Sequence, residues 1–115
     1  MNYLQPQEVT SPKVGWSISS VIFDEGEGEI AVCMGFWNSE QVIAIRWNGS
    51  KNKTLGNPQS SGHATWFILP TEFGVAIVKD IILKKAAGNN NYNEVGLEKA
   101  IQWMNDFALL RKATY

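Results

Sequence analysis

His63 is the only histidine in the chain, and Ser60 and Ser61 lie just before it. An imidazole next to a hydroxyl is the elementary pairing for proton transfer. Arg46, Lys51 and Lys53 precede it, and no Asp or Glu falls between Gln41 and Thr71. A base, hydroxyls and cations are what a metal-independent ribonuclease requires, because phosphoryl transfer needs a proton shuttle and charge neutralisation. The set has no second acid–base group. The sequence therefore favours a non-enzymatic role, and no catalytic residue is assigned.

Binding is the better-supported chemistry. Asn57, Gln59 and Ser60 offer paired donors and acceptors that suit a peptide backbone, a nucleobase edge or a sugar. Trp47 and Trp66 stand on either side, where an aromatic face could border a pocket. The candidate ligand- or partner-binding residues are Arg46, Asn57, Gln59, Ser60, His63 and Trp66. Arg46 has two readings, an exposed or ion-paired strand residue and an anion-binding guanidinium at the mouth of the loop.

Other chemistries lack their parts. One Cys and one His cannot build a zinc tetrad. The acidic turn Asp24-Glu25-Gly26-Glu27-Gly28 does not follow the EF-hand pattern, and it lacks the third glycine of a dinucleotide fingerprint. There is no P-loop and no nucleophile elbow. No cofactor is expected.

These residues occupy a long connection. Val42 to Ile45 and Trp66 to Leu69 are apolar, and Asn48 to Ala64 between them is polar and turn-rich. About 17 residues is long for a connection in a small domain, and such loops are usually functional or disordered. Asn48 to Lys53 has no apolar anchor and is expected to be mobile. Gly56 to Thr65 contains Pro58 and turn-forming side chains and is expected to be fixed.

Three strands are expected ahead of the loop: Val14 to Phe23, Glu29 to Trp37 and Gln41 to Trp47. Short turns join them into an antiparallel meander. Residues 1–13 read as an extended lead-in, pairing at a sheet edge. A fourth strand is expected over Ala64 to Leu69. A helix then follows over Thr71 to Ala87, with Thr71 as cap, Lys84 and Lys85 in its last turn and Gly88 beyond. Its apolar residues nearly encircle it. A second helix is expected from Asn93 to Lys112. Leu97, Ala100, Ile101, Met104 and Phe107 form its buried stripe, and Trp103 and Leu110 lie at the margin.

The strings Arg46-Trp47-Asn48-Gly49, Gly56-Asn57-Pro58-Gln59-Ser60 and Thr65 to Pro70 resemble small proteins of bacterial genomes, plasmids and gene cassettes. The resemblance covers under a quarter of the chain. It implies a bacterial accessory protein of the mobile-element type and brings no activity with it.

The 115 residues suit a single domain. Ten basic and eleven acidic side chains leave a net charge of −1, without the strongly basic balance of a general nucleic-acid binder. Cys33 is the only cysteine; it is expected to be buried, and it excludes an internal disulfide. The first residues lack the apolar core of a signal peptide, and no apolar run spans a membrane, so the expected location is cytoplasmic.

The expected fold is α+β, an antiparallel sheet of about four strands with two C-terminal helices packed on one face. The expected function is a binding module that uses the 48–64 loop to hold a protein, peptide or small polar ligand. The alternative is nucleic-acid binding or ribonuclease-like activity through Arg46, Lys51, Lys53 and His63. An exposed sheet edge, or the margin of the last helix, would suit a homodimer.

Overall fold

The computed structural model describes the backbone of residues 2–114 and the side chains of residues 2–108. The meander comprises β1 (Trp16–Asp24), β2 (Ile30–Trp37) and β3 (Glu40–Trp47). A small hairpin follows, β4 (Gln59–Ser60) and β5 (His63–Ala64), and then the short strand β6 (Phe67–Ile68). Two helices complete the chain, α1 (Thr71–Ala86) and α2 (Glu94–Thr114). The main sheet is antiparallel in the order β1-β2-β3-β6. The fold is α+β, a four-stranded antiparallel sheet with two C-terminal helices.

The helices cover one face. Ile22, Val32, Met34 and Ile43 of the sheet pack with Val78, Ile81, Leu97, Ala100 and Trp103. Gly74 of α1 makes close approach possible: a Cβ there would lie 3.0 Å from Ile43 and 3.1 Å from Trp103. Trp103 is thus a core residue and not an exposed margin, which removes it as a dimer contact. The side chain of Leu110 lies outside the described residues. Thr71 does not cap α1. Pro70 is the cap residue and supplies no side-chain hydrogen bond, and Thr71 is the first helical residue.

The opposite face is also buried. Trp16, Ala31, Cys33, Val42 and Ala44 are covered by Val9, Ala64 and Trp66, with Leu4 and Leu55 at the border. The indole N–H of Trp66 donates to the Val9 carbonyl at 2.9 Å. The Leu4 amide donates to the Thr54 carbonyl at 3.0 Å. The N-terminal segment therefore lies across a sheet face, not along an edge. Trp16 lies over Gly35, where a Cβ would come within 2.4 Å of its ring. Sheets buried on both faces need strands apolar on both faces, and β2, IAVCMGFW, meets that requirement.

Candidate functional site

The long connection is an interruption of the edge strand. Asn57 pairs with Trp47, Phe67 with Ile45 and Ile68 with Ala44. The position opposite Arg46 should hold one residue. Instead the chain leaves the sheet after Asn57 and returns at Phe67. The fourth strand is accordingly shorter than expected, Phe67–Ile68, and His63–Ala64 belongs to the hairpin instead.

The excursion is a tight turn on a closed base. The Thr65 amide donates to the Pro58 carbonyl at 3.0 Å. At the tip, Ser61 and Gly62 both have positive φ, 51° and 79°, as a two-residue type I′ hairpin requires. Ser60 and His63 are cross-strand partners on either side of this turn. Gln59, Ser60, Ser61, Gly62 and His63 are all exposed.

Arg46 holds the base. It is 2% exposed. One terminal nitrogen donates to the Thr65 carbonyl and the other to the Leu55 carbonyl, one on each side of the excursion. Its guanidinium carbon lies 5.9 Å from the centre of the Trp66 ring. Burial pushes its pKa down, and proximity to Cys33 opposes that shift. Guanidinium still keeps its proton in proteins. Gly56 is fitted to the same corner: a Cβ would fall 2.2 Å from the Trp47 carbonyl and 2.7 Å from an Arg46 nitrogen.

Residues 48–53 are tied down more firmly than expected. Asn48 is 4% exposed. Its side-chain amide donates to Asp24 Oδ1 and to the Gly26 carbonyl, each at 2.8 Å. Its backbone amide donates to the Glu29 carbonyl at 2.8 Å. The Lys51 amide donates to Glu27 Oε2 at 3.1 Å. The acidic β1–β2 turn is thus the anchor of the loop's first half.

The six residues expected to bind therefore separate into two groups. Arg46 and Trp66 (7% exposed) are interior. Neither is on the surface, because the face they share with Val42 and Ala44 is covered. Asn57, Gln59, Ser60 and His63 remain exposed on the excursion. Gln59 turns its amide back onto the Gly56 carbonyl at 2.8 Å. Ser60 and His63 line an open cleft of about 470 Å³ with Ser11, Lys13, Ser61 and Thr65. Ser11 and Lys13 were not expected there. Only the folding of the N-terminal segment under the hairpin brings them in.

A second concavity lies at the base of the excursion. Trp47 and Phe67 are 52% and 58% exposed, and with Ile30, Ile45, Asn57 and Pro58 they border an apolar groove of about 250 Å³. Sequence reasoning placed Trp47 at the stem of the loop but not Phe67 beside it.

Cys33 is fully buried, and burial pushes its thiol pKa well above the ordinary value, with Arg46 acting the other way. Such a thiol is a packing group. Among the described residues there is no cluster of three or more His, Cys, Asp or Glu able to hold a metal ion, and no helix is long and apolar enough to cross a membrane. Comparison with protein-family models, curated proteins and solved structures gave no match.

Proposed function

We propose that the chain is a non-enzymatic recognition module whose 56–65 excursion holds a protein, a peptide or a small polar ligand. The observation that carries this reading is the pairing of an exposed tip with a buried clamp. Gln59, Ser60 and His63 stand in solvent, and Arg46 fixes the two sides of the base from below. A preordered surface loses less conformational freedom on contact than a floppy loop does. Arg46 as an anion ligand drops out of the reading, since its terminal nitrogens already serve main-chain carbonyls. The proposed setting is a bacterial cytoplasm and a mobile-element accessory role, on the lone Cys33 and the resemblance of the loop strings.

A displayed random-peptide library panned on the native protein and on a Gln59→Ala/His63→Ala double variant is the test. The double variant should lose little in melting temperature, because both side chains are exposed and only the Gln59 bond to the Gly56 carbonyl is removed, and it should lose the selected clones. Equal capture by both proteins would place recognition elsewhere.

Nucleic-acid binding is the second reading, favoured by Lys13 beside His63 and three serine hydroxyls in the open cleft. A single-stranded RNA oligonucleotide whose affinity falls steeply with rising salt would support it, and salt-insensitive peptide capture would not.

A further inference from the structure

We infer that the Trp47–Phe67 groove is a docking site for a proline-rich peptide with a basic flank. This rests on the recognition-module reading but uses a different surface from the hairpin tip.

The groove's place follows from strand geometry. Ile30 and Ile45 pack against the helix-side core. Trp47 lies two residues past Ile45 and Phe67 directly opposite it, so all share that face. Neither ring belongs to the buried core on that face, and both stay more than half exposed. Core packing does not account for two large aromatics left in solvent side by side. With Pro58 they make a shallow, flat-walled trough.

Three features select the occupant. The first is size. About 250 Å³ falls below the roughly 300–1,000 Å³ of small-molecule clefts, and an open trough suits a ligand that runs across it. The second is shape. Aromatic walls suit the compact apolar pyrrolidine ring, and a polyproline helix is already rigid, so little order is lost on docking. The third is hydrogen bonding. A polyproline helix has no internal hydrogen bonds, and its carbonyls seek donors. The Trp47 indole N–H and the Asn57 side-chain amide at the groove have no protein partner among the described residues.

Charge supplies the flank. Ile30 continues directly from the acidic β1–β2 turn, where Glu25, Glu27 and Glu29 are exposed. Trp47 is the strand partner of Ile30, and the amide of the next residue, Asn48, donates to the main-chain carbonyl of Glu29. The groove's own lining holds no carboxylate, but just beyond its Ile30 end Glu25, Glu27 and Glu29 outnumber Lys51 and Lys53 on the adjoining loop, and this net acidic turn complements Arg or Lys on the peptide.

The test titrates the full chain with capped synthetic peptides and follows amide and indole resonances. The probe is a repeated Pro-Pro-Ala peptide ending in two arginines. The controls replace every proline by alanine, or the arginines by glutamates. Shifts should centre on Ile30, Ile45, Trp47 and Phe67, and the Arg form should bind tighter than the Glu form. Trp47→Ala should weaken binding about tenfold or more, as for a central aromatic contact. Phe67→Ala should act in the same direction, and a melting curve on each variant confirms that it is folded. Gln59→Ala/His63→Ala should leave this affinity unchanged. Equal binding of the alanine peptide, preference for the Glu form, or no shift at these residues at millimolar peptide would overturn the proposal. If library clones depend on the hairpin tip while the proline-rich peptide shifts none of the groove residues, the groove assignment fails and the recognition module stands.

Discussion

Arg46 is the residue on which the loop depends. A buried cation is costly unless its donors are satisfied. Here its two terminal nitrogens donate to main-chain carbonyls and the ring of Trp66 lies beside it, while its buried Nε has no partner among the described residues. Planarity explains why arginine is used: a guanidinium fork can reach Leu55 and Thr65 at once, whereas an ammonium is a point donor. Arg46→Ala strands both carbonyls, and the loss is partly offset because the charge is no longer buried. The expected cost is about 2–4 kcal/mol in urea unfolding. Arg46→Lys should fall between the alanine variant and the native chain. A loss under about 0.5 kcal/mol, typical of an ordinary surface substitution, would mean that the clamp is not structural.

Among the elements, the loop departs furthest from its sequence reading. The expected order was a mobile first half and a fixed second half; the hydrogen bonds divide it differently. The amides of Asn48, Asn57 and Thr65 are each bonded to a carbonyl, whereas Ser61 and Gly62 form an exposed turn. Hydrogen exchange should therefore be slow at those three amides and fastest at the hairpin tip. If Asn48 exchanges as fast as Gly62, the anchoring by the acidic turn is wrong. The meander and both helices were legible because their signals are local: apolar runs, tight turns, a lysine-rich helix end and Gly88 beyond it. Asn48's partners are Asp24, Gly26 and Glu29, about twenty residues away, and nothing in residues 48–53 points to them. The short β6 was hidden for a related reason. Strand-like residues run from Ala64 to Leu69, but the hairpin claims Ala64 and the sheet only Phe67 and Ile68. Arg46 did carry a readable signal. It alternates with Val42 and Ala44, and a face that apolar must be covered.

The whole molecule is three layers deep, with the sheet between the helices and a coat made of the N-terminal segment and the long loop. Sheets in α+β domains need one apolar face covered, and the helices already do that. The coat would be peripheral if it merely rested on the sheet. Trp66 argues otherwise: it is 7% exposed, bonded to Val9 and stacked near Arg46, which extends from β3 itself. Both cores also share strands, since Val32 and Met34 face the helices and Ala31 and Cys33 face the coat. Loss of either layer should therefore weaken the same sheet, and unfolding should be one cooperative transition. Leu97→Ala on the helix side should cost about 2–5 kcal/mol, and Trp66→Ala on the coat side about 3–5 kcal/mol. Both should lower the urea midpoint read by far-UV circular dichroism, which is dominated by the helices, and by tryptophan fluorescence, with the two probes coincident. If Trp66→Ala instead leaves the circular-dichroism midpoint in place while opening the 48–65 region to protease, the coat is an independent flap. The excursion would then have no rigid base, and recognition through a preordered tip would lose its physical basis.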